Sequence, residues 1–158
     1  MSTLHADTIL DIVARTVRET QLPMNADGRP LQFVENDYLA ADGMPNERGF
    51  DILLREFGDT TVTSHDSDGD VTERKMAFDV NLFYVAAGMN MRTLSATVAR
   101  DCASVLDRVP RAIHLLGEGA HCEISGNGVF QPISNGNADN AWLMSIPFEA
   151  AWFEPVEA

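Results

Sequence analysis

Between Val71 and Ala86 the chain alternates with a period of two. Met76, Phe78, Val80, Leu82 and Tyr84 share one parity, and Glu73, Lys75, Asp79 and Asn81 share the other. Side chains of a strand point alternately to opposite faces, so this run predicts a long strand in a sheet with one dry face. The other face is left for water or for a partner. The rest of the chain has to supply a cover for the dry face.

Two segments fit that task. Ile9, Ile12, Val13 and Val17 form a stripe at helical spacing, predicting a helix from about Asp7 to Gln21 with Asp7 as N-cap and Pro23 closing it. Leu94, Val98, Cys102, Val105 and Val109 form a second stripe, predicting a helix from Met91 to Val109 after an Asn90 cap, ended by Pro110.

Further strands read from the same rules. FDILLREF, residues 50 to 57, places Phe50, Ile52 and Leu54 against Asp51, Leu53 and Arg55, and TTVTSHD continues it or starts another strand. His121 to Pro132 and Ala141 to Glu154 read as a closing hairpin around the polar link SNGNADN. Gly126 and Gly128 mark a bulge or tight bend in the first of these, and Pro147 marks an edge position or a bulge in the second. Residues 23 to 49 form an irregular, turn-rich loop in which LQFV is a short strand or turn.

The order is helix, loop, hairpin, helix, hairpin. It predicts an α+β fold, an antiparallel-rich mixed sheet with two helices packed on one face, in a single domain over residues 1 to 158.

Charge and cysteine content narrow the function. A net charge of −13 opposes attraction to nucleic acid or anionic lipid. No apolar run approaches the ~20 residues of a membrane span, and the N-terminus lacks the basic and apolar regions of a signal peptide, so no membrane role and a cytosolic origin are expected. Cys102 and Cys122 are expected as free thiols.

No motif completes a catalytic or metal-binding pattern. Asp66, Asp68 and Asp70 around Gly69 resemble a calcium loop, but the glycine falls at the wrong position and the twelfth residue is Ala77. Asp-Gly between two strands instead predicts a hairpin tip, strongly negative, where a basic partner surface docks. His114, His121 and Cys122 match no zinc spacing, and Gly117-Glu118-Gly119 lies before a strand rather than between strand and helix. No catalytic, metal or cofactor residue is therefore expected.

Both tryptophans lie in the closing strand. Trp142, Met144, Ile146, Phe148, Ala150 and Trp152 share a parity that should face the core. Trp152 and Phe153, near the strand's end, are also placed to reach a neighbouring subunit.

This pattern resembles the tail terminator proteins of long-tailed, lambda-like bacteriophages. The resemblance rests on the element order over nearly the whole chain, on DGRPLQFVEND after the first helix, and on the ending WLMSIPFEAAWFEP. It implies no enzyme but a virion protein at the head-proximal end of the tail, assembled in the host cytoplasm. Such proteins form a ring, a hexamer, that caps the tube, stops polymerisation of the major tail tube protein and joins the head-tail connector or head-completion protein. DNA passes through the lumen without specific binding. Asp66, Asp68, Asp70, Trp152 and Phe153 are the candidate contact residues. The competing readings are another neck or completion protein and a small enzyme.

Overall fold

The computed structural model describes residues 4–20, 32–35, 47–62, 71–85, 90–117, 119–132 and 141–155. They form an α+β fold. The elements are α1 (Ala6–Arg18), β1 (Gln32–Glu35), β2 (Glu47–Val62), β3 (Val71–Val85), α2 (Met91–His114), β4 (His121–Ile124), β5 (Val129–Pro132) and β6 (Ala141–Pro155). Six strands make one sheet in the order β1-β2-β3-β6-β4, with β5 also paired to β6. Every pairing is antiparallel except β1 with β2.

The sheet is built around its long central pair. β3 and β6 run antiparallel in unbroken register from Val71↔Pro155 to Val85↔Ala141. That register places Phe78 opposite Phe148 and Val80 opposite Ile146 on one face, where the two phenyl rings stack at 5.6 Å. Ile9, Val13 and Val17 of α1 and Leu94, Val98, Val105, Val109 and Ile113 of α2 complete a single core with them. Both helices therefore cover the same face. Pairs of buried aliphatic and aromatic side chains at this density supply most of the stabilisation.

The helix ends differ from expectation. α1 starts after His5 rather than Asp7, and His5 makes no side-chain cap. Asp7 lies in the first turn, where its Oδ1 accepts from the Thr8 amide at 2.9 Å and its charge suits the helix dipole. Asn90 does cap α2, its Oδ1 accepting from Thr93 N at 2.8 Å.

Pro110 does not end α2. The helix continues to His114, with Ile113 fully buried one turn beyond Val109. Burial of Ile113 outweighs the one backbone hydrogen bond that Pro110 cannot donate. A proline inside a helix costs about 3 kcal/mol, and its restriction of the unfolded chain returns only about 1 kcal/mol of that. Pro110→Ala is therefore expected to raise stability by about 2 kcal/mol, read as a higher urea midpoint at an unchanged slope.

Two strands fall within the segment read as irregular, one of them at the LQFV stretch expected as a short strand or turn. Gln32 to Glu35 is a strand, and β2 already begins at Glu47, with Gln32 opposite Glu47 and Glu35 opposite Phe50. β2 then runs on through Thr60 and Thr61 as an extended arm beside β3. One residue, Arg55, bulges out between the pairs Leu54↔Phe78 and Glu56↔Ala77.

The expected strand from His121 to Pro132 is two strands. The register shifts by two residues between β4 and β5, and only Ser125 N bridges the gap, donating to Pro147 O at 2.9 Å. In an antiparallel ladder a residue's N–H and C=O face the same neighbour. Pro147's missing donor therefore falls in this gap. β6 is an interior strand, and the proline breaks its partner rather than marking an edge. Gly128 lies at the same place, and a Cβ there would collide with the Met144 side chain.

Candidate interaction surface

Trp152 answers first to its own subunit. It is fully buried, edge-on to Phe57 with ring centroids 6.4 Å apart. Its Nε1 donates to Glu154 Oε1 at 2.9 Å. Glu154 is itself buried; its other oxygen accepts from Arg74 Nε at 3.2 Å, and His5 Nδ1 lies 3.5 Å from Oε1. This cluster ties the last strand to β3 and to the start of α1. Trp152 is thus enclosed by its own chain, on the core-facing parity expected of it, rather than at the surface as a contact residue would be.

Phe153 lies on the opposite face and is half-buried. Its ring covers the backbone of Gly119, where an added Cβ would sit 2.8 Å from Phe153 Cδ2 and where φ is +73°. A side chain at position 119 would be strained and crowded at once. Asp66, Asp68 and Asp70 lie outside the described residues.

The face of the sheet away from the helices carries excess acid. Asp51, Glu56, Glu73, Asp79, Glu123 and Glu149 fall on it, against Arg55 and Lys75. The bulge re-aims Arg55 over this face. Its Nε meets Asp79 Oδ1 at 2.8 Å and its Nη2 donates to Ser125 Oγ at 3.1 Å, so one guanidinium links β2 to the β4–β5 gap across two intervening strands. Asn81 Nδ2 donates to Asp51 Oδ1 at 2.8 Å one row away. Glu123 stands directly opposite Glu149, a like-charge pair that costs stability in the isolated subunit.

The helix-side face is not wholly covered. Along β2 the inward residues emerge progressively from under α1: Phe50 is 0% exposed, Leu54 49% and Phe57 50%. A groove of about 410 Å³ lies beside α1, lined among the described residues by Leu10, Asp11, Ala14, Arg15 and Arg18 of α1 and Ile52 of β2. On the opposite flank, Leu115 at the end of α2 is 78% exposed, and Ile124 on β4 is 43% exposed.

One polar group in the core went unread in the sequence. Asp101 is 1% exposed, and its Oδ2 accepts from the Tyr84 hydroxyl at 2.8 Å. The signal was present. Position 101 lies three after Val98 and four before Val105, on the buried stripe of α2.

Cys102 and Cys122 are free thiols. Burial, and then the charge of Glu123, push the Cys122 thiol up to about 12; burial and then Asp101 raise Cys102. A raised thiol contributes stability that is complete below the ordinary thiol range and is lost as pH climbs through the folded value. The Cys122 contribution is therefore expected to fade between pH 9 and about 12. Both thiols are expected to react slowly with an alkylating reagent at pH 8 in the folded protein and rapidly in urea. His114 and His121 are exposed, and no group of three or more metal-ligating side chains comes together among the described residues. No described helix is long and apolar enough to cross a membrane. Neither a protein-family model nor a curated protein sequence matches the chain.

Proposed function

We propose that the protein is a structural subunit of a phage virion, forming a ring, a hexamer, on the head-proximal end of the tail tube. The ring stops polymerisation of the major tail tube protein and presents a surface to the head-tail connector or head-completion protein. The observation that carries this reading is the one-sided architecture: two helices on one sheet face, an acid-rich opposite face, and two unlike apolar flanks. A ring needs two different patches on each chain, because each copy meets its neighbours head to tail. The order α1, β1, β2, β3, α2, β4, β5, β6 keeps a helix followed by strands twice over, the plan on which the resemblance to tail terminators rests.

The mechanism is occupancy. A growing tube end offers free edges to the next ring of tube protein; a terminator ring takes those edges and offers none. Excess carboxylate toward the lumen lets DNA pass, since like charge removes the gain from counterion release. At low salt the protein is expected to show no measurable retention of duplex DNA in a filter or gel-shift assay; tight binding would sink the lumen reading.

The deciding experiment is electron microscopy of the purified protein, alone and mixed with tail tubes from a phage mutant lacking its terminator. Six-fold rings, or a cap at one tube end with tube length held fixed, are expected. Bare tubes that keep growing beside a protein that instead binds purified connectors would place it among other neck or completion proteins.

A further inference from the structure

We infer that neighbouring copies meet face to back, the solvent side of α2 on one chain lying across the acidic outer face of the sheet on the next. This rests on the ring reading and names its contact. The solvent side of α2 exposes Arg92, Arg100, Arg111 and His114 against one exposed carboxylate, Asp107, which already pairs with Arg111 at 2.9 Å. The chain as a whole carries a net charge of −13, so this side runs against its composition. Ala96, Ala99 and Ala103 are also exposed there, and their short side chains let the guanidinium groups reach a flat surface. The back of the sheet is the opposite in sign. Strand register sets Glu56, Ala77, Glu149 and Glu123 in one row across β2, β3, β6 and β4, on the face away from both helices. All three glutamates of that row are exposed. The cations of the same face, Arg55 and Lys75, are already paired with Asp79 and Glu73.

Each surface holds charges that the isolated subunit disfavours. Arg92 lies in the first turn of α2, where the helix dipole repels a cation and no acidic residue shares the turn. Glu123 stands opposite Glu149 across the ladder. The two costs are opposite in sign, and one contact between copies relieves both. The lengths agree as well. Arg92 and Arg100 are about 12 Å apart along a helix, and Glu56 and Glu123 are about 14 Å apart across three strand spacings. One chain cannot make this contact with itself, because Leu94, Val98 and Val105 hold the other side of α2 to the inner face of the same sheet. Unlike surfaces on opposite sides give a heterologous contact, which repeats from copy to copy until the rotation closes. Contact charges of this kind set register and orientation. Asp51, Glu56, Glu73, Asp79, Glu123 and Glu149 are only six of the chain's 24 acidic residues, so an excess of acid remains for the lumen.

Arg92→Glu with Arg100→Glu reverses the helix surface, and Glu56→Arg with Glu149→Arg reverses the sheet surface. All four positions are exposed, so both variants should keep the wild-type circular dichroism spectrum. In sedimentation velocity over a concentration series at low salt, wild type is expected to associate beyond a dimer and to come apart as salt is raised. Each variant should associate at least tenfold more weakly, because it sets like charge against like. An equimolar mixture of the two should regain association, since every helix surface then finds a sheet surface of opposite sign. A single chain carrying all four changes should associate as well. Variants that associate like wild type, a mixture no stronger than its components, or association unmoved by salt overturn the contact and leave the ring reading standing. Two further outcomes also overturn it. A helix-surface variant that associates normally but no longer caps tubes gives α2 to an acidic surface of the tube or connector. Duplex DNA retained by wild type and released by that variant gives α2 to nucleic acid. Where rings form only on tube ends, the same proteins are scored by capping: capping is expected to be lost in each variant and regained in the mixture, and any other pattern overturns the contact. Wild type that stays monomeric and leaves tube ends bare overturns both readings.

Discussion

Trp152→Ala is expected to cost about 3–5 kcal/mol, the range for truncating a large buried aromatic side chain. Three losses add up. The indole leaves a cavity beneath α1, and Phe57 loses its edge-on neighbour. Glu154 Oε1 loses the indole N–H that it accepts at 2.9 Å. A buried carboxylate oxygen deprived of a donor carries a desolvation cost that a smaller side chain cannot return. For a domain of this size, a loss that large should lower the melting temperature by roughly 10 °C or more. Trp152→Phe separates the parts: it keeps most of the ring and removes only the donor, with an expected cost of about 1–3 kcal/mol. If Trp152 served an interface instead, alanine there would spare the monomer's melt and abolish association, and full burial in its own chain opposes that outcome.

The same residue shows what a sequence can convey. Parity alone placed Trp152 with Phe148 and Ile146 facing the helices, and all three are fully buried. The alternation of β3 was equally readable, because a strand with one dry face leaves no freedom in which residues are apolar. Coverage was not readable. Phe50, Ile52, Leu54 and Phe57 are all apolar in sequence, yet burial falls along them because α1 ends its contact partway down β2. The bulge at Arg55 also left no pattern of its own, since it lies inside an otherwise strand-like run. The parallel pairing of β1 with β2 depends on partners that alternation does not name. Pro110 misled for a related reason. Its missing N–H is a local cost, and Ile113, anchored in the core, decides the helix end through tertiary packing.

This pattern of successes bears on function. Periodicity reveals which face a chain hides from itself, and so the core of the subunit was legible. Exposed apolar residues are those that the described elements leave uncovered, and coverage exists only in three dimensions. Leu54 and Leu115 are ordinary core-type residues by composition; only their exposure distinguishes them.

Tyr84→Phe should be the next most damaging conservative change, at about 1–3 kcal/mol, the cost of removing one hydrogen bond to a buried carboxylate. The phenyl ring keeps its place among Leu82, Trp142 and the α2 stripe, so little packing is lost. What goes is the hydroxyl that donates to Asp101 Oδ2 at 2.8 Å. This bond joins the middle of α2 to the end of β3, and so fixes the helix along its own axis where apolar contacts alone would permit a shift by one turn. Asp101→Asn retains an acceptor for Tyr84 and should cost less than Tyr84→Phe. Asp101→Leu is to be measured alone and together with Tyr84→Phe, so that the energy of the pair is read apart from that of each residue. Wild type, Tyr84→Phe, Asp101→Leu and the double variant form a double-mutant cycle in urea, and a coupling energy near zero would show that the pair does not act as a unit. A substantial coupling would mean that the register of α2 over the sheet, and with it the position of Leu115 on the outer flank, depends on one buried hydrogen bond.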